Sequence, residues 1–231
     1  MLPLNDTSPN RYSPFPFMTI SLISLNLLIL IYAEHLGASN IWYLRELYYL
    51  YGSVPRLILA GEGGGALTAI TATFLHAGLL HLASNMLALW VFGRRVEDAC
   101  GSWAFLILYL LCGITGDIAS TAVHASSGGP SVGASGAVFG IMGAYLLLFP
   151  GGRIRVLLPI FFVPLFPKIR AFWIVLYFLL AQIPAAYAVL VSGAEYGIGY
   201  WAHLGGFFGG FLVFLLLRPE AMHRYRLGLP V

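Results

Sequence analysis

The sequence predicts an all-α membrane protein, a bundle of six transmembrane helices whose fourth is short and submerged. Three observations carry that prediction. Of 231 residues, 59% are hydrophobic and 9% charged, with a mean hydropathy of +0.85, where a soluble domain carries about 25% charged residues. Long apolar, nearly uncharged runs recur along the chain. The run from Ser135 to Phe149-Pro150 is shorter; as a helix of about 15 residues it is about 22 Å long, against a bilayer core of about 30 Å. If that helix reaches one membrane face, Ser135 lies well below the other.

In chain order, Met1 to Phe15 is polar and proline-containing and reads as a short disordered tail, residues 1–16 in all. Phe17 to Ala33 is the first span; the later apolar runs favour an uncleaved span over a signal peptide. Glu34 to Gly65 mixes Trp42, Tyr43, Tyr48, Tyr49 and Tyr51 with Arg45, Glu46 and Arg56. It is too polar to span and suits headgroup depth, so residues 34–66 form an interfacial first external loop. The glycine run Gly61-Glu62-Gly63-Gly64-Gly65 turns the chain back into the second span, Leu67 to Phe92, which holds His76, His81 and Asn85.

Gly93 to Ser102, with Arg94, Arg95, Glu97 and Asp98, reads as a short charged loop, and Trp103 to about Thr121 as the third span, with Asp117 near its end. A glycine-serine loop over residues 126 to 134 leads to the short fourth span at Ser135. From Gly151 to Arg170, Pro159, Pro164 and Pro167 exclude an ordinary spanning helix. Ala171 to about Val191 is the fifth span, Tyr200 to Leu217 the sixth, and residues 218–231 a basic tail. There is no tandem repeat, low-complexity tract or long linker, so residues 17–217 read as one integral core.

Charge sets the orientation. The N-terminal tail, the loops after spans two and four and the C-terminal tail hold Arg11, Arg94, Arg95, Arg153, Arg155, Lys168, Arg170, Arg218, Arg224 and Arg226, while the other loops hold only Arg45 and Arg56. Ten against two places both termini in the cytoplasm and Ser135 below the outer face. The net charge of +3 is too small and dispersed for a nucleic-acid partner. Cys100 and Cys112 show neither disulfide nor metal spacing and read as two inert thiols. The chain is expected to use no metal and no cofactor.

Polar groups inside a membrane are costly and usually functional. His81, Asn85, Ser135 and His203 gather in the outer half, with His81 and Asn85 four residues apart on one helix face. A lone intramembrane serine commonly satisfies a backbone carbonyl, and a lone histidine a neighbouring helix. Four such groups at one depth fit acyl transfer better. Ser135 becomes a nucleophile when His203 accepts its proton. The oxyanion then needs preorganised donors, which the Ser135 N–H at a helix start, His81 and the Asn85 amide can supply. Gly133 and Gly136 permit tight backbone beside the serine. Gly133-x-Ser135 is not a nucleophile elbow, because residue 137 is alanine.

Three motifs make a resemblance plain: Phe74-Leu75-His76-Ala77-Gly78-Leu79-Leu80-His81-Leu82-Ala83-Ser84-Asn85-Met86, Gly133-Ala134-Ser135-Gly136 and Ala202-His203-Leu204-Gly205-Gly206. Together, in this order and on spans two, four and six, they resemble the rhomboid family of intramembrane serine proteases from about residue 67 to 217. The resemblance implies Ser135 as nucleophile, His203 as general base and acid of a Ser–His dyad, and His81 and Asn85 in the oxyanion hole. It implies no third carboxylate, so Asp117 reads as a structural or cavity-facing acid.

The same resemblance gives supporting roles. Gly206 and Gly210 form a G-x-x-x-G that lets span six approach span four. Glu97 buttresses the loop after span two, and His76 organises the first loop and polar cavity. Two features depart from the family. Leu67-Thr68 stands where many relatives carry Trp-Arg, which bears on how the first loop is anchored. Phe139 stands where some have a tyrosine packing on the catalytic histidine. No soluble appendage is expected beyond this core. The implied substrates are single-span or multi-span membrane proteins in the lipid bilayer, cleaved in or next to their transmembrane segments. The implied location is a bacterial cytoplasmic (inner) membrane. The rival expectation is a catalytically silent rhomboid-like scaffold that binds membrane-protein clients.

Overall fold

In hydrocarbon a backbone must satisfy its own hydrogen bonds, so apolar runs become helices. The computed structural model describes residues 1–13, 15–160, 163–193, 197–217, 223 and 226–227, and it is mostly helical. Among the described residues, three helical segments are long and apolar enough to cross a membrane. They are α1 (Phe17–Ser39), α7 (Ser102–Val123), and α9 (Ala171–Leu180) with α10 (Ile183–Ser192), which together form one 22-residue segment. A fourth candidate is bent. Two shorter apolar helices complete the bundle: α8 (Ser135–Leu148), about 21 Å at 1.5 Å per residue, and α11 (Tyr200–Leu217).

The bent candidate corrects the expectation of one continuous second span. Gly65–Phe74, which contains the short α4 (Thr68–Thr71), meets Leu79–Cys100 at 86°. The break falls over residues 75–78, where Gly78 has φ +131°, a conformation that side-chain-bearing residues avoid. After it come α5 (Leu79–Ala88), a π turn (Leu89–Gly93) and α6 (Arg94–Cys100). The expected charged loop at Gly93–Ser102 is therefore largely helix. Its charges are buried and paired rather than solvated. Glu97 accepts bonds from the Met18 and Thr19 N–H groups (2.7 and 2.8 Å), the Thr19 hydroxyl (2.7 Å) and the Ser102 hydroxyl (2.6 Å). It thereby caps the start of α1, where backbone donors lack helical partners.

The N-terminal tail is ordered, against expectation. Leu2–Asp6 forms β1, antiparallel to β2 (Arg153–Ile160), with Leu2 opposite Leu157 and Asp6 opposite Ile154. Asp6 is 1% exposed: it accepts from the Tyr145 hydroxyl at 2.6 Å and lies 3.4 Å from the Arg95 guanidinium. Asp98 then accepts from the Arg11, Tyr12 and Ser13 N–H groups. The proline-rich 151–170 stretch is not a helix, as expected, and supplies strands instead. β3 (Val163–Leu165) and β4 (Lys168–Arg170) both pair with β2. The expected basic tail, including Arg218 and Arg224, lies outside the described residues apart from 223 and 226–227.

At the other end, the first loop folds as α2 (Ile41–Tyr51) and α3 (Pro55–Ala60). α2 buries no residue and exposes Trp42, Tyr43, Tyr49 and Tyr51, as an interfacial segment would. The loop is tied down without the Trp-Arg pair. The Tyr48 hydroxyl donates to the His76 carbonyl (2.8 Å), Thr71 Oγ1 to the Tyr51 carbonyl (2.6 Å), and Ser53 exchanges two backbone bonds with Ser131. Burial, with the Glu34 carboxylate, raises the Tyr48 pKa above its ordinary value and keeps the hydroxyl a donor.

Candidate functional site

The site is built where α11 crosses α8 against α7, and glycine makes that crossing close. A Cβ on Gly206 would fall on the Gly136 carbonyl, and one on Gly210 would lie 2.5 Å from the Gly140 Cα. A Cβ on Gly143 would lie 2.7 Å from the Phe207 carbonyl, and one on Gly116 2.7 Å from the Ala202 carbonyl. The expected Gly206 and Gly210 pair is thus half of a larger stripe on facing helices. Bare backbones in contact give dispersion energy that side chains would hold apart.

That contact sets the chemistry. Ser135 is the first residue of α8, half-buried. Its N-cap, Ala134, makes no side-chain cap bond, and the first-turn N–H groups, which have no intrahelical partner, lie at the positive end of the dipole. Gly133, two residues earlier, has φ +138° and donates its N–H to the Ala72 carbonyl at 2.9 Å. A Cβ there would meet His81 at 2.7 Å from Cε1, so the His81 ring lies directly against the loop before the serine.

His203 is 9% exposed on α11 and stacks on Phe139, with centroids 4.5 Å apart and planes 4° from parallel. Phe139 is one turn after Ser135, so the stack holds the imidazole over the face of α8 that carries the serine. The expected aromatic contact is kept without a tyrosine hydroxyl. Asn85 is buried, and its amide nitrogen has no hydrogen-bond partner among the described residues. His81 sits one turn earlier on α5, 5.1 Å from the fully buried His76 ring. His81, Asn85, Ser135, Phe139 and His203 line one cavity of about 1010 Å³, as does Asp117. Leu87 and Ala88 of α5 and Phe178 of α9 also line it.

All four residues expected to act together therefore share one cavity. Asp117 lines it too, as expected of a cavity-facing acid. Reading the sequence for candidates missed Gln182, between α9 and α10, whose Oε1 is 2.8 Å from His203 Nδ1. The signal was present: it is the one glutamine of the chain and lies inside an apolar span. Cys100 and Cys112 are both buried. Among the described residues, no three His, Cys, Asp or Glu side chains gather as a metal ion would require.

The family model for the Rhomboid domain matches residues 64–220. The chain is 41% identical over 139 residues to Rhomboid protease GluP of Bacillus subtilis, covering 60% of this chain and 26% of that protein. It is 33% identical over 150 residues to the mitochondrial Rhomboid protein 1 of Saccharomyces cerevisiae, covering 63% and 40%. To RHOMBOID-like protein 5 of Arabidopsis thaliana it is 30% identical over 195 residues, covering 80% and 58%. The chain thus spans from about a quarter to under two thirds of these relatives.

Proposed function

The chain belongs to the rhomboid family, and from that premise we propose that it is an intramembrane serine endopeptidase acting through a Ser135–His203 dyad. The observation that carries the reading is the His203–Phe139 stack one turn from Ser135, lining one cavity with Asn85, whose Nδ2 has no partner among the described residues. His203 Nε2 takes the proton as Ser135 Oγ attacks the scissile carbonyl carbon. The oxyanion accepts from the Ser135 N–H, His81 and Asn85 Nδ2. The imidazolium then gives its proton to the leaving amine, and an acyl-enzyme remains. Water, deprotonated by His203, attacks the ester, and the second tetrahedral intermediate releases a carboxylate and restores the serine.

The substrates are single-span or multi-span membrane proteins. Their helix must locally unwind, because a helical amide is closed to attack. The apolar part of the cavity lining, with Leu87, Ala88 and Phe178, suits entry from the bilayer. The protein is an integral membrane protein. Six spans, with the bent 65–100 segment counted as one and α8 and α11 as short ones, put both termini in the cytoplasm by loop charge. Residues 1–16 and 218–231 are then cytoplasmic tails around a 17–217 core in a bacterial inner membrane. Within it Gly133, Gly136, Gly206 and Gly210 set the backbone contacts, Phe139 and His76 order the cavity, and Glu97 braces α1.

The test uses purified protein in liposomes with a single-span substrate and a fluorophosphonate probe. Wild type cleaves and labels; Ser135→Ala and His203→Ala do neither. Equal cleavage by Ser135→Ala overturns the dyad, and a folded wild type that neither cleaves nor labels overturns the protease reading.

A further inference from the structure

His203 has a partner on its far edge that no dyad requires. Gln182 stands at the break between α9 and α10, and its Oε1 is 2.8 Å from His203 Nδ1. Which atom of an amide faces a ring is usually ambiguous. Here a second bond decides it, because Gln182 Nε2 lies 2.8 Å from the Phe178 carbonyl. A carbonyl only accepts, so the atom facing it is the NH₂ group and the atom facing His203 is the amide oxygen. That oxygen also only accepts, so Nδ1 must carry the proton. In the neutral ring, Nε2 is then the bare lone pair, on the edge turned away from Gln182.

We propose that Gln182 is a positioning residue that holds the His203 imidazole as its Nδ1–H tautomer, with the Nε2 lone pair left for Ser135. The proposal rests on the dyad reading above. Gln182 occupies the place of the orienting carboxylate in a serine triad, but as a neutral acceptor. A neutral group suits a site where His203 is nearly buried, since a third charge there would go unsolvated. The amide also accepts equally well from the imidazolium that forms when Ser135 is deprotonated, so it need not move during the reaction. Phe139 fixes the ring plane, and Gln182 fixes its rotation within that plane. A second bond, from Trp201 Nε1 to the Ala186 carbonyl at 3.0 Å, holds α11 to α10 on the same side.

The tautomer can be read directly by ¹⁵N-histidine spectroscopy, with His203 assigned by difference against His203→Asn. Wild type is expected to show the Nδ1–H form, and an Nε2–H form overturns the proposal whatever the activity. In Gln182→Leu the expected signature is a mixture of tautomers, with kcat lowered about 10- to 100-fold and KM little changed. Gln182→Glu in its neutral form keeps an acceptor toward His203 and a donor toward the Phe178 carbonyl, so in that form it should retain the Nδ1–H tautomer and most of kcat. Unchanged kcat in a folded Gln182→Leu overturns the role, as does a lowered kcat with an unchanged tautomer, which would mark a packing effect alone. If Gln182→Leu does not fold, wild type and Gln182→Glu still decide the question. Activity that survives Ser135→Ala would defeat the protease reading and leave the tautomer result standing separately.

Discussion

Two sides of the bundle are built on opposite principles. Where α11 meets α7 and α8, glycines put backbone against backbone, and a single added methyl has nowhere to go. On the side of α9 and α10, large side chains such as Trp173, Tyr177, Leu180 and Tyr187 stand exposed, and Phe178 of α9 lines the cavity with residues of α5. The first side fixes the spacing of Ser135 and His203. The second leaves room beside them. An enzyme of the kind proposed needs both: rigid geometry for the reacting atoms and a passage beside it. Gln182 joins the two, since it sits on the open side and bonds the histidine of the tight one.

The contrast can be tested by substitution, and the largest effect is expected at the proposed nucleophile. Ser135→Ala should bring cleavage to background in the liposome assay while leaving thermal unfolding unchanged. Asn85→Ala removes one proposed oxyanion donor, and kcat should fall about 100-fold with KM nearly constant. Gly206→Val forces side-chain atoms into the Gly136 carbonyl and should cost about 3 kcal/mol or more, read as a lowered unfolding temperature in detergent. Glu97→Ala leaves buried donors at the start of α1 without a partner, with an expected loss of about 2 kcal/mol by the same measurement. Tyr177→Ala, on the open side and 55% exposed, should change stability by no more than about 0.5 kcal/mol. If Tyr177→Ala unfolds the protein as Gly206→Val does, the two sides are not built differently.

Much of this molecule is legible in one dimension. Apolar runs of spanning length, the short run after Ser135, the clustering of Arg and Lys and the three polar motifs are local patterns. Each follows from solvation or helix periodicity over a few turns. Other features needed the folded chain, for two reasons. The charges of Arg95, Glu97 and Asp98 looked like a solvated loop because sequence does not reveal that the Met18 and Thr19 N–H groups and residues 6–13 would arrive to pair with them. The tail looked disordered because its partner strand lies about 150 residues away.

Gln182 belongs to this second class, since one amide in an apolar span marks a polar need without saying whose. The sequence by itself therefore determined the membrane setting, the helical content and the cast of polar residues. Only the tertiary structure decided the break at residues 75–78, the glycine-tight crossing of α11 over α8, and the partner of His203 Nδ1. The physical reason is that burial and periodicity act on neighbours along the chain. Hydrogen-bond partners are chosen by proximity in space, which only the packed bundle creates.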